Sequence, residues 1–197
     1  MADFRAETSI GVRIRLARRE RGYRTTADLA EAIPGGNVTE AILENIESGR
    51  KADISISQLL NIARGLNVPV TMLLAPIGRP DATLDLANLS DDFTGMTAAK
   101  FDSWLSSTPA SSYRPRLASE RADIAILNSL RELGTLRREL DRLEIVLRTQ
   151  DASGDPDLIA TNAAVQKRID RIAKEIADVA ELLTSAGLTG IAEAAES

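Results

Sequence analysis

The sequence predicts an all-α protein. Leu and Ala, which are strong helix formers, are prominent among its apolar residues, and aromatic residues, which strands favour, make up only 3% of the chain. In several stretches apolar residues recur every three or four positions, which is the spacing of one face of a helix. We expect three regions: short helices over 8–75, a polar linker over 76–118 with a short helix near 97–106, and two long helices over 119–187.

The composition argues against most enzyme classes. The chain has no Cys and no His, so disulfides, thiolate metal sites and the commonest general base are excluded. No pair of carboxylates stands out from the charges of solvated helices. We therefore expect no catalytic residue, no cofactor and no metal. The first residues lack the apolar run of a signal peptide, and no stretch approaches 18 apolar residues. The expected location is the cytoplasm, away from a membrane.

The charge is unevenly distributed along the chain. The net charge is −5, but residues 1–75 carry a net +1 and residues 76–197 a net −6. Residues 5–24 alone hold seven Arg and two Glu. A local basic surface of this kind suits a polyanionic partner, whatever the overall charge of the chain.

Residues 8–75 carry the signals of five short amphipathic helices. Thr8 or Ser9 can cap the first helix, which ends at Gly22. Its apolar face points inward, and we expect Arg13 to point elsewhere. The second helix is expected over 27–33 and the third over 39–48, with a turn at 34–37 between them. The fourth begins near Ser55, and the fifth follows Pro69. The expected inward residues of the fourth helix are Ile56, Leu59, Leu60, Ala63 and Leu66.

Three segments carry a resemblance to a known family. They are Thr-Ala-Asp-Leu-Ala at 26–30, Val-Thr-Glu-Ala-Ile-Leu-Glu-Asn-Ile-Glu-Ser-Gly-Arg at 38–50, and Leu-Leu-Asn-Ile-Ala-Arg-Gly-Leu-Asn-Val at 59–68. In this order and spacing they resemble the lambda repressor/Cro (XRE) helix-turn-helix family over about a third of the chain. The resemblance implies a five-helix DNA-binding domain whose third helix enters the major groove. The turn at 34–37 is about three residues longer than the family pattern.

The resemblance also implies roles for individual residues. A carboxylate can accept a hydrogen bond from cytosine N4, and an Asn side chain can pair with adenine. The positions that would read bases are Glu40, Ala41, Glu44 and Asn45. Those that would hold phosphates are Arg24, Thr26, Thr39, Ser48, Arg50 and Lys51. Arg18 and Glu47 would form a structural ion pair. Two plainer interpretations stay open: the Thr residues are ordinary helix caps, and the Glu residues are solvated charges.

Residues 119–187 predict two long helices, over 120–148 and 157–185, separated by a loop at 151–156. Each has apolar residues at coiled-coil spacing. The seam residues of the two helices are Ile126, Leu133, Leu136, Leu140, Leu143, Leu147, Val165, Ile169, Ile172, Ile176, Val179 and Leu183. Equal lengths and a short loop favour an antiparallel hairpin. We assign these seams to homodimerisation, although the helices can pair within or between chains. Asn162 lies on the second seam, where it either sets the register or is solvated.

The remaining motif lies in the linker. Phe101 and Trp104 lie on one side of its short helix, which either docks on a neighbouring domain or binds a further protein. Taken together, the patterns predict a sequence-specific regulator of transcription, a repressor acting as a homodimer on double-stranded DNA. The alternative is a non-catalytic adaptor or antitoxin-like protein that uses the same helices to hold proteins.

Overall fold

A computed structural model describes residues 3–33, 35–108, 113–153 and 159–191. These residues form eight α-helices and no β-strand, so the predicted all-α class is confirmed. The chain divides into two compact units, Met1–Tyr113 and Arg114–Ser197. None of the helices in the described ranges combines the length and the apolar character needed to cross a membrane.

The first five helices of unit 1 form around a single apolar core. Side chains cap three of them: Thr25 and Thr39 accept hydrogen bonds at the starts of the second and third helices, and Ser55 does so at the start of the fourth. The core consists mainly of aliphatic side chains, among them Ile14, Leu29, Leu43, Ile62 and Leu73. The helices are α1 (Ile10–Glu20), α2 (Thr26–Glu31), α3 (Glu40–Glu47), α4 (Ile56–Leu66) and α5 (Val70–Leu74).

The orientation predicted for α4 is wrong at two positions. Ile56 is 78% exposed and Leu60 is 50% exposed, whereas Ile62 is fully buried. The buried face of α4 runs through Ile62, Ala63 and Leu66, and successive residues turn by about 100°. Ile56 and Leu60 therefore fall on the flank of that face, where no other element covers them fully.

The orientation predicted for Arg13 is also wrong, because this side chain is fully buried. Its Nε donates to the carbonyl of Leu73 at 2.8 Å and its Nη2 to that of Leu74 at 3.0 Å. Its Nη1 donates to the carbonyls of Glu7, at 2.7 Å, and Thr8. The guanidinium thus joins the chain before α1 to the end of α5.

The predicted linker is folded over residues 76–108, which belong to unit 1. It contains a 3-10 turn at Asp91–Phe93 and the helix α6 (Ala98–Leu105), which Thr97 caps. A second cluster forms around buried Ala75, Ala98 and Phe101. The polar composition of residues 76–118 predicted a linker, yet the fold brings the few apolar residues of 75–105 together. Residues 109–112 lie outside the described part.

This packing bears on the two aromatic residues of α6. Phe101 is buried, and Trp104 stacks on it with ring centroids 6.1 Å apart. Trp104 also meets Phe93 edge to face at 5.4 Å. Phe101 therefore packs inside its own unit, as the docking interpretation expects, and it offers no exposed ring to a further protein.

Unit 2 is an antiparallel pair of long helices, α7 (Ala118–Ser153) and α8 (Ile159–Ser185). The carboxylate of Glu139 pairs with Arg168 at 2.7 Å, and Asp151 accepts from the Asn162 amide at 2.6 Å. Asn162 therefore links the two helices near the loop end of the hairpin. Helix α7 extends beyond the predicted 148, and the part of the predicted loop from 154 onward lies outside the described residues.

The seam predicted for dimerisation is occupied within one chain. All twelve of its residues are buried or half-buried in the single hairpin, and Leu133, Ile169, Ile172 and Leu183 are the most deeply buried. The seam residues are therefore assigned to the intrachain helix pair, because α8 covers the apolar face of α7 over most of its length.

Candidate nucleic-acid interface

An open groove of about 550 Å³ lies on the surface of unit 1, between α1, the start of α2 and α3. Every residue that lines it has a polar or charged side chain. It is lined by Arg15, Arg18, Thr25, Thr26, Glu40, Glu44, Glu47, Ser48 and Arg50. Five of these are among the residues that the sequence predicts for DNA contact: Thr26, Glu40, Glu44, Ser48 and Arg50.

Helix α3 presents one polar side to this groove. Its opposite side is buried through Leu43 and Ile46, which fixes the rotation of the helix. The end of α3 lies directly against Gly11 of α1, where a Cβ atom would come within 2.2 Å of the Ile46 carbonyl oxygen. Only glycine allows this close approach. Glu40 and Glu44, one turn apart, are consequently exposed along the groove.

A buried ion pair holds the floor of the groove. The Arg18 guanidinium binds the Glu47 carboxylate through two hydrogen bonds, Nε to Oε1 at 2.6 Å and Nη2 to Oε2 at 2.8 Å. Its Nη1 donates to the backbone carbonyls of Tyr23 and Arg24. The hydrogen bond with Glu47 raises the pKa of Arg18. The pair connects α1, the α1–α2 loop and the end of α3, and so fixes α3 relative to the start of α2.

The other charges of the groove are unpaired. Besides Arg18 and Glu47, no groove side chain of the described residues takes part in an ion pair. Two guanidinium groups, Arg15 and Arg50, therefore lie in the same groove as two free carboxylates, Glu40 and Glu44. The Nε atom of Arg15 is buried and has no hydrogen-bond partner. The groove can offer both donors to an anion and acceptors to an amino group.

Arg15 lines the groove but is not among the residues that the sequence predicts for DNA contact. It lies three residues before Arg18 on α1, and residues three apart share a helix face. Since the expected pair with Glu47 places Arg18 towards α3, this spacing could have identified Arg15 as the basic residue at the edge of the same face.

Five predicted contact residues do not line the groove. Arg24 and Ala41 are exposed elsewhere on the surface, while Asn45 and Lys51 are half-buried. The backbone N–H of Lys51 donates to the Asn45 carbonyl at 2.9 Å. Thr39 is exposed and uses its hydroxyl oxygen to accept from the backbone N–H of Ile42, as the capping interpretation expects.

The long turn before α3 is attached to α4. The Asn37 amide donates to the Ser57 hydroxyl at 2.7 Å, and the Gln58 amide donates to the Asn37 carbonyl at 3.2 Å. Asn61 also donates to the Asn37 side chain, at 3.4 Å. These bonds hold the start of α3 although the turn is longer than the family pattern. Pro34 lies outside the described residues.

In the described ranges, no group of three acidic side chains is placed to hold a metal ion. Comparisons of the chain with protein families, with curated proteins and with solved structures find no match.

Proposed function

We propose that this protein is a sequence-specific DNA-binding regulator of transcription that acts as a homodimer and represses by occupying an operator. The observation that carries the proposal is the groove in which the exposed side of α3 lies beside two unpaired guanidinium groups. In helix-turn-helix proteins the second helix of the motif enters the major groove, and the elements around it hold the backbone.

The mixed charge of the groove suits the two chemical features of duplex DNA. Phosphates need donors, which Arg15 and Arg50 supply together with the start of α2 at Thr25 and Thr26. The major-groove edges of cytosine and adenine present amino groups, for which carboxylates are acceptors. We assign phosphate contact to Arg15 and Arg50, and base contact to Glu40 and Glu44.

A protein partner is the second candidate, and the two free carboxylates favour it. Carboxylates near phosphates are repelled, whereas they would pair with the basic side chains of another protein. An adaptor would use the same groove without a preference for any DNA sequence. The two functions differ in their salt dependence, because only DNA binding releases a large number of condensed counterions.

The test of phosphate contact starts with selection of bound fragments from a random duplex pool, followed by titrations of the selected duplex at several salt concentrations. Arg15→Ala combined with Arg50→Ala should weaken specific and non-specific binding alike. It should also reduce the slope of log K against log salt by about two, one unit per lost contact. The matched control is Arg64→Ala with Arg79→Ala, which removes two exposed charges outside the groove. Failure to enrich any sequence, with wild-type slopes for both variants, would favour the adaptor.

The test of base contact uses one carboxylate. Glu44→Ala should weaken binding to the selected sequence by about 1–3 kcal/mol and relax the preference at one base pair. Non-specific affinity should hold or increase, because a charge repelled by phosphates is removed. Glu31→Ala, which removes an exposed carboxylate at the end of α2, is the control. An unchanged sequence preference for Glu44→Ala would show that this side chain is only solvated.

A further inference from the structure

Helix α7 has a second patterned face in addition to the seam that α8 covers. Six of its residues follow one another at intervals of four, three, four, three and four, which keeps them on one side of a helix. Five of them are exposed and one, Gly134, is half-buried. This outer face of α7 consists of Leu127, Arg131, Gly134, Arg138, Asp141 and Ile145. It lies on the side of α7 away from α8.

Gly134 has no role that the single chain explains. Glycine in a helix interior costs about 1 kcal/mol relative to alanine. A Cβ atom at Gly134 would meet only the Nη1 atom of Arg138, at 3.7 Å, so packing inside the hairpin does not require glycine. Small residues in the middle of a helix allow another helix to approach closely. The hairpin therefore does not explain this glycine, which leaves room for a second helix to approach.

The outer face is complementary to itself when a second copy lies antiparallel. A twofold axis at the level of residue 136 places Leu127 opposite Ile145, and Ile145 opposite Leu127. The same axis places Arg131 opposite Asp141 twice. It also places each Gly134 opposite the Arg138 side chain of the other copy. Leu127 and Ile145 lie 18 residues apart, which is five turns or about 27 Å, so both ends of the face point the same way.

A parallel arrangement would be unfavourable on the same face. It would place Arg131 on Arg131 and Asp141 on Asp141, and like charges directly opposite are destabilising. The apolar residues at the two ends of the face also favour the antiparallel pair, which places Leu127 of each copy against Ile145 of the other. Ile145 is 61% exposed and Leu127 40% exposed in the single chain, so this contact would bury them. Leu130, at 37%, flanks the face and can lie against the methylene groups of an Arg side chain of the second copy.

We propose that the outer face of α7 is a homodimer interface, in which the α7 helices of two copies pair antiparallel and join two hairpins into a four-helix arrangement. The proposal deepens the proposed function, and rests on it in so far as that function needs a dimer. It identifies the surface through which two DNA-binding units would be linked, now that the predicted seam is occupied within the chain.

The test is an exchange of charges between two variants of the full chain. In the variant Arg131→Asp, positions 131 and 141 are both acidic; in the variant Asp141→Arg, both are basic. Because position 131 of one copy faces position 141 of the other, two copies of the same variant should repel each other. Each should raise the dimer dissociation constant by about tenfold or more. An equimolar mixture should restore dimers, because every acidic position then meets a basic one. Molar mass is measured by light scattering at micromolar concentration without DNA.

A matched control and a steric variant complete the test. Lys174→Asp and Asp178→Arg make the same charge changes on exposed positions of α8 and should dimerise like the wild type. Gly134→Gln should preserve or raise the thermal stability of the hairpin, since Gln favours helix, while weakening the dimer.

Three results would overturn the proposal. The first is a wild-type chain that is a monomer at micromolar concentration, and the second is a single variant that dimerises like the wild type. The third is an equimolar mixture whose molar mass is no higher than that of the separate variants. These results are independent of the proposed function, because mass is measured without DNA. Conversely, a dimer that behaves as expected but binds no DNA would contradict the proposed function alone.

Discussion

Glu47→Ala should lower the free energy of unfolding of unit 1 by about 3–5 kcal/mol, because it leaves the charge of Arg18 buried without its partner. The side chains of Arg18 and Glu47 are only 5% and 8% exposed, so the guanidinium is largely shielded from water. The Nε and Nη2 atoms of Arg18 would lose their acceptors together. Since small domains are stable by about 5–15 kcal/mol, a loss of this size is a large fraction of the total.

Denaturant unfolding of the full chain measures this effect. Trp104 is the only Trp of the sequence and lies in unit 1, so its fluorescence reports on that unit. The control replaces both partners by apolar residues, Arg18→Met with Glu47→Leu. It should retain most of the stability that Glu47→Ala loses, because no unpaired charge remains. A Glu47→Ala chain that unfolds like the wild type but no longer binds DNA would instead make Glu47 a contact residue.

Arg13→Met should destabilise unit 1 by about 3 kcal/mol or more, because four carbonyl groups lose their donor at once. Burial lowers the pKa of Arg13 to about 10, so below that pH the charge itself works against the folded state. The hydrogen bonds to Glu7, Thr8, Leu73 and Leu74 have to offset that penalty. Met keeps an unbranched side chain as far as the position of the Arg Nε atom, so the loss reports on the guanidinium group and its donors.

Hydrogen exchange of the backbone amides shows which part of unit 1 is destabilised by Arg13→Met. The amides around Gly78, which donates to the Arg5 carbonyl, should lose protection in Arg13→Met because the chain before α1 and the end of α5 are no longer joined. Arg13→Lys is the control: it keeps the charge but has fewer donors, and should be intermediate. Unchanged protection at Gly78 and unchanged stability in Arg13→Met would show that the carbonyls find other donors.

Local sequence signals determined the helices and their starts. The caps at Thr39 and Ser55 act over three residues, so they can be identified without knowledge of the fold. The spacing of Leu133, Ile169, Ile172 and the other seam residues identified the faces along which α7 and α8 pack. The resemblance to the helix-turn-helix family implied a pair between Arg18 and Glu47, and the structure contains it.

Tertiary structure alone decided how deeply a face is buried and what covers it. A helical period places Arg13 on a side of α1, but only the end of α5 supplies the carbonyls that make its burial possible. The helical period likewise predicted that Ile56 and Leu60 of α4 face inward, although both side chains are exposed. Phe93, Phe101 and Trp104 form a cluster only because distant parts of 75–105 fold together. Likewise the seams of α7 and α8 could have met within or between chains, since periodicity defines an apolar face but does not identify its partner.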